Sequence, residues 1–145
     1  MPKGIGGIAW AGAPPSHLSP MEDTGKTNSR CYIGAAPTEA PWNTIPIENA
    51  TYCFVNDRFA YAMLKPKRGV DAGRKLLRLA KKVFGEPALE VESYARWAGL
   101  EADQPVQAMI YVATKTNSMT MLMVSYEPLQ PHRSEDPDRK PKAIQ

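Results

Sequence analysis

A turn and a stop bracket the middle of this chain and leave few folds open to it. Asn56-Asp57 separates two strand-like runs, residues 50–55 and 58–64. Both residues tolerate the positive φ that a two-residue hairpin needs. Side chains alternate along a strand, so Tyr52 and Phe54 share one face while Thr51, Cys53 and Val55 share the other. Pro66 ends the second run. A helix over 71–84 follows, with Asp71 as its N-cap, Gly85 at C′ and Pro87 just beyond. At 100° per residue, Leu76, Leu77, Leu79, Ala80, Val83 and Phe84 fall within an arc of about 160°. Arg74, Lys75, Arg78, Lys81 and Lys82 occupy the opposite arc of about 120°.

Further strand patterns cover 91–98, 106–114 and 119–126, and Lys115-Thr116-Asn117-Ser118 makes the last two a hairpin. Residues 30–34 are an additional strand candidate. The expected fold class is α+β: an antiparallel sheet of about five strands in ββαβββ order, with the one amphipathic helix packed on one face. A chain of 145 residues has room for one domain. Its prolines cluster towards both ends, which predicts an irregular lead over 1–29, a single α+β domain over 30–127 and a disordered tail over 128–145.

The formal charge is only +3, yet it is unevenly spread. The stretch from Lys65 to Glu86 alone carries +6, including Lys65, Lys67 and Arg68 ahead of the helix, so the rest of the chain is net acidic. An electrostatic partner is therefore sought around one helix rather than over the whole surface. No apolar run reaches the length of about 20 residues that a membrane-crossing helix needs. The N-terminus has no charged region followed by an apolar one, as an export leader would. The compartment stays open, periplasmic or exported if a leader was removed and cytoplasmic otherwise.

Several short motifs invite chemistry and do not sustain it. Asp23-Thr24-Gly25-Lys26-Thr27 ends like a phosphate-binding loop, but the glycine required five positions before Gly25 is Pro20, which has no amide hydrogen. The same residues begin like one half of an aspartic-protease dyad, and no second copy exists. Gly4-Ile5-Gly6-Gly7 lacks a preceding strand, and Pro14-Pro15 opposes the helix a dinucleotide site needs. Only His17 and His132 could join Cys31 and Cys53 at a metal, and both lie in expected loop or tail, so no cofactor or metal is expected. No histidine lies in a structured segment to activate a cysteine.

Four sets of residues remain as binding candidates. Cys31 and Cys53 fall near one another if 30–34 pairs antiparallel with 50–55, either as a disulfide or as two buried thiols. Met109, Met119, Met121 and Met123 could gather thioethers, which copper(I) favours, although packing of a sheet face against the helix or a partner is the commoner use. The basic arc of Arg74, Lys75, Arg78, Lys81 and Lys82 could neutralise nucleic-acid phosphates or an anionic surface; a solvated helix face is the plainer reading. Finally, a sheet with one helix leaves a second face, where Tyr94, Tyr111, Tyr126 and Tyr32 are candidates for exposure. By default that face is covered by the N-terminal segment.

The segments Tyr52-Cys53-Phe54-Val55-Asn56-Asp57-Arg58-Phe59, Phe84-Gly85-Glu86-Pro87 and Tyr94-Ala95-Arg96-Trp97, taken together, resemble a loosely defined group of small bacterial proteins. These are often exported or envelope-associated, and their function is uncharacterised. The resemblance implies a fold and an export route and brings no catalytic residues. With no nucleophile–base pair and no metal spacing, the expectation is a non-enzymatic binding or assembly module. Its contact would be with another protein or a second copy, through an open sheet face or edge. Nucleic-acid or anionic-surface binding by the helix is the alternative. An enzyme whose site is assembled from loops is the third class.

Overall fold

The computed structural model describes residues 3–21, 28–67, 70–97, 106–112 and 120–129. Its centre is the hairpin of β5 (Ile47–Val55) and β6 (Arg58–Pro66), turned by Asn56 and Asp57 at φ 51° and 61°. Two successive positive φ values match the right-handed twist of the flanking strands, which is why this turn closes so tightly. The helix α1 (Val70–Phe84) places Asp71 in its first turn, favourable to the helix dipole. It ends where Gly85 takes φ 84° and donates its N–H to the Lys81 carbonyl at 2.8 Å.

The sheet is larger than the expected five strands. Besides β5 and β6 it contains β3 (Ser19–Pro20), β4 (Ser29–Gly34), β7 (Leu89–Val91), β8 (Tyr94–Arg96), β9 (Val106–Tyr111) and β10 (Met121–Tyr126). Their order is β3-β4-β5-β6-β10-β9-β8-β7, antiparallel throughout. A separate two-stranded sheet pairs β1 (Gly4–Ile5) with β2 (Ile8–Ala9). The architecture is thus mostly sheet, an eight-stranded and a two-stranded one with a single helix among the described residues, and the ββαβββ, five-strand expectation is overturned.

The difference has physical causes. The run expected as one strand over 91–98 breaks at Glu92-Ser93 into the short hairpin β7–β8. Strands of two or three residues are too short for alternation to show. In the N-terminal segment, Gly6 and Gly7 adopt φ 68° and 80° and turn β1 into β2, so the glycines serve a hairpin and not a nucleotide loop. The Lys115–Ser118 turn, Met119, the Asp23-to-Thr27 motif, Arg68, His132 and all but the first two residues of the tail expected over 128–145 lie outside the described residues.

One face of the sheet holds the core. Tyr52, Phe54, Ala62, Leu64, Leu122, Val124, Ala108 and Ile110 alternate inward on four central strands. Against them pack Leu76, Leu79, Ala80 and Phe84 of α1, and also Ile5, Ile8, Leu18, Trp42 and Ile45 from the N-terminal third. Trp10 stacks on Phe59 with centroids 4.7 Å apart, and the chain beside it is tied to Phe59 by Ala11 and Gly12 backbone bonds of 2.9 and 2.8 Å. The N-terminal segment therefore shares the helix's face instead of covering the opposite one.

Candidate functional site

Alternation along the same central strands decides what the second face carries. Direct cross-strand partners run Cys31–Cys53–Tyr61–Ser125–Gln107 in one row and Thr51–Met63–Met123–Met109–Arg96 in the next. A third row brings Met121 opposite Tyr111, which in turn faces Tyr94. The Tyr94 and Tyr111 rings lie 5.0 Å apart. Along β6 from Ala62 onward, and along β10 and β9, the buried first-face residues are each followed by a half-buried or exposed second-face residue.

The exposed large hydrophobic residues among those described all belong to this second face. Ile33 is 50 % exposed, Val91 55 %, Tyr111 47 %, and Leu89 and Met21 41 %. Leu89 and Val91 sit opposite Arg96 and Tyr94, on the side of Met109 and Tyr111. Met21, just past β3, donates its N–H to the Cys31 carbonyl and continues the alternation from Ser19, the partner of Ile33. A surface collecting every such residue on one side differs from the scattered apolar residues normal on a folded protein.

Cys31 and Cys53 are direct cross-strand partners with Cα atoms 4.0 Å apart, and the structure joins them in a disulfide. Of the two readings the sequence left open, free thiols and a bridge, this is the second. The bridge ties the outer strand β4 to β5, with the Tyr61 hydroxyl 3.8 Å from the Cys31 sulfur.

The four tyrosines expected together separate into two pairs. Tyr94 and Tyr111 share the second face. Tyr126 stacks on Trp10 at 5.9 Å and Tyr32 sets its edge on Phe54 at 5.4 Å, both on the core side. The basic residues also divide. Lys81 forms a 2.9 Å ion pair with Glu90 of β7, whereas Arg74, Lys75, Arg78 and Lys82 are exposed and make no ion pair among the described residues. Lys65, ahead of the helix, pairs with Glu48 at 3.4 Å.

A cleft of about 600 Å³ opens elsewhere, between the β1–β2 turn, residues 38–42 and Val83. Glu39 accepts the Gly6 N–H there at 2.7 Å. Behind it, the buried Tyr52 hydroxyl donates to the Ala35 carbonyl at 2.8 Å. Burial, and then the negative charge of Glu39, push the Tyr52 pKa up to about 12, so this hydroxyl stays protonated and serves as a structural donor. Among the described residues no group of three or more His, Cys, Asp or Glu side chains could hold a metal. No helix there is long and apolar enough to cross a membrane.

Sequence reading missed Met63, Ile33, Leu89 and Val91 as surface partners. Their signal was period-two alternation, present in the sequence, but the face they share is set by pairings between distant segments. No protein-family model, no curated protein and no solved structure matches this chain.

Proposed function

We propose that this protein is a non-enzymatic binding or assembly module whose contact surface is the second face of the eight-stranded sheet. The observation behind the reading is the segregation of all the exposed large hydrophobic residues among those described onto that face, around a centre of half-buried methionines. Methionine adapts its shape to a partner better than a branched side chain does. Six strands at about 4.8 Å spacing and about 20 Å of strand length give a plan area of roughly 600 Å², near the 800 Å² or so that each partner buries in a stable interface.

A second copy of the chain is the simplest occupant. A two-fold contact sets the same patch of this face against itself, and two such faces pack as a sheet sandwich. The Cys31–Cys53 bridge suits assembly in an oxidising compartment. Sedimentation of the wild type across a concentration series tests the reading, beside Ile33→Asp and Tyr111→Asp. Association abolished by either substitution, with the fold retained, supports it. A monodisperse monomer at the highest soluble concentration, which also captures no partner through this face, contradicts it.

Arg74, Lys75, Arg78 and Lys82, exposed and without an ion pair among the described residues, favour a second reading, contact of the helix with nucleic acid or an anionic surface. Binding of labelled DNA or RNA that falls steeply with salt and is lost in Arg78→Glu/Lys82→Glu would support it. No binding at low salt would retire it.

A further inference from the structure

We propose that the centre of the second sheet face is a binding site for a soft monovalent metal ion, copper(I) in its biological form, held by the thioethers of Met63, Met123 and Met109. The site shares its methionines with the centre of the proposed contact face, but it needs only these three side chains and no docked partner.

The first ground is register. Met123 lies directly opposite Met63 on β6 and directly opposite Met109 on β9, so three thioethers form one transverse row on three adjacent strands. Cross-strand partners have Cα atoms about 4.5–5.5 Å apart. Each sulfur stands three rotatable bonds from its Cα, enough for the outer two to lean over the middle one. Met121 lies two residues from Met123 on the same face, within reach as a fourth ligand.

The second ground is the choice of residue. Methionine is not among the residues that strands prefer. On the core face, these same strands use Ala62, Leu64, Ala108, Ile110, Leu122 and Val124 at the alternating positions. The buried core contains no methionine at all among the described residues. Gap-filling, the usual service of this side chain in an interior, is therefore not what places it here. All four are half-buried, so their sulfurs stand between apolar neighbours and solvent.

The third ground is chemical selectivity. Neutral, polarisable thioether sulfur is a soft ligand and prefers copper(I) to hard divalent ions. The cysteine sulfurs are spent on the disulfide, and the described residues gather no carboxylate or imidazole cluster to compete. Arg96 ends the row beyond Met109, on an exposed position where solvent screens its charge.

The test uses the full chain, labelled at the methionine ε-methyl carbons and titrated with silver(I), a stable stand-in for copper(I). The expected result is saturation at one equivalent, with shifts confined to Met63, Met109, Met121 and Met123, and none at Met21. Second-shell changes alone cost about 10–100-fold in metal affinity, so Met123→Leu should weaken binding by at least that factor. Copper(I) under anaerobic conditions, competed against a chelator, should follow the same order, and zinc(II) should shift nothing. Leucine preserves volume and apolarity, so Met123→Leu keeps the fold. Ile33→Asp, which lies outside the thioether row, should bind silver(I) as the wild type does even where it abolishes association, which separates this site from the docking reading. Shifts that include Met21 equally, a titration without a one-equivalent endpoint, a zinc(II) response, or unchanged affinity in Met123→Leu would each overturn the proposal.

Discussion

The indole N–H of Trp97 donates to the Gly85 carbonyl at 2.8 Å, fastening the end of α1 to the β7–β8 side of the sheet. Trp97 is fully buried, its ring 5.9 Å from that of Phe84, and its own N–H bonds to the Ala108 carbonyl at 2.7 Å. One residue thus satisfies the carbonyl just past the helix end and fixes the outer hairpin against β9. Trp97→Phe removes the bond to Gly85 and leaves a small void. The expected loss is about 2–3 kcal/mol, measured by denaturant unfolding with an unchanged slope.

Tyr52 predicts how stability changes in alkali. Its pKa of about 12 lies above the ordinary 10.0, because burial and then Glu39 disfavour the phenolate. The folded state therefore holds the proton more tightly than the unfolded chain. Its contribution is complete below pH 10 and is lost as pH rises from there through about 12. A two-unit shift corresponds to roughly 2–3 kcal/mol. Tyr52→Phe should flatten the stability profile across this window, at the cost of about 1 kcal/mol at neutral pH from the lost bond to Ala35.

The disulfide makes a separate prediction. Cys31 and Cys53 are 22 positions apart, and closing a loop of that size in the unfolded chain is worth roughly 3 kcal/mol. Cys31→Ser/Cys53→Ala should lower the unfolding free energy by about that amount. Added reductant should have the same effect on the wild type and none on the double variant.

The local signals in this chain were readable. Asn56-Asp57 at the hairpin, and Gly85 at the helix stop, name their conformations through residue type alone. The outer strands were not readable, since Ser19–Pro20 and Leu89–Val91 span only two and three residues, too few for alternation to show, and owe their existence to a neighbour. The N-terminal segment looked irregular because Gly and Pro dominate it, yet Ile5, Ile8, Leu18 and Trp10 find places beside Tyr52 and Phe59. For the candidate site, the methionines of the last strands were visible by spacing. Met63 was not, because its pairing with Met123 depends on β10 inserting between β6 and β9, which no local pattern specifies.

Charge reversal on the helix distinguishes the two proposed surfaces. Arg78→Glu/Lys82→Glu alters exposed residues without ion-pair partners among those described, so stability should change by no more than about 0.5 kcal/mol. Self-association through the sheet should persist. Loss of association in this variant would shift the contact from the sheet to the helix.

The central claim, that the second sheet face is the contact surface, is tested most directly by mapping methyl accessibility with a soluble paramagnetic agent at low and high protein concentration. The account predicts that the methyl groups of Met21, Ile33, Leu89 and Val91 are bleached in dilute solution and protected in concentrated solution. The side-chain methylene groups of Arg78 and Lys82, on the exposed arc of α1, should stay equally accessible in both. Unchanged bleaching of the sheet face at every concentration, or protection that appears on α1 instead, would contradict it.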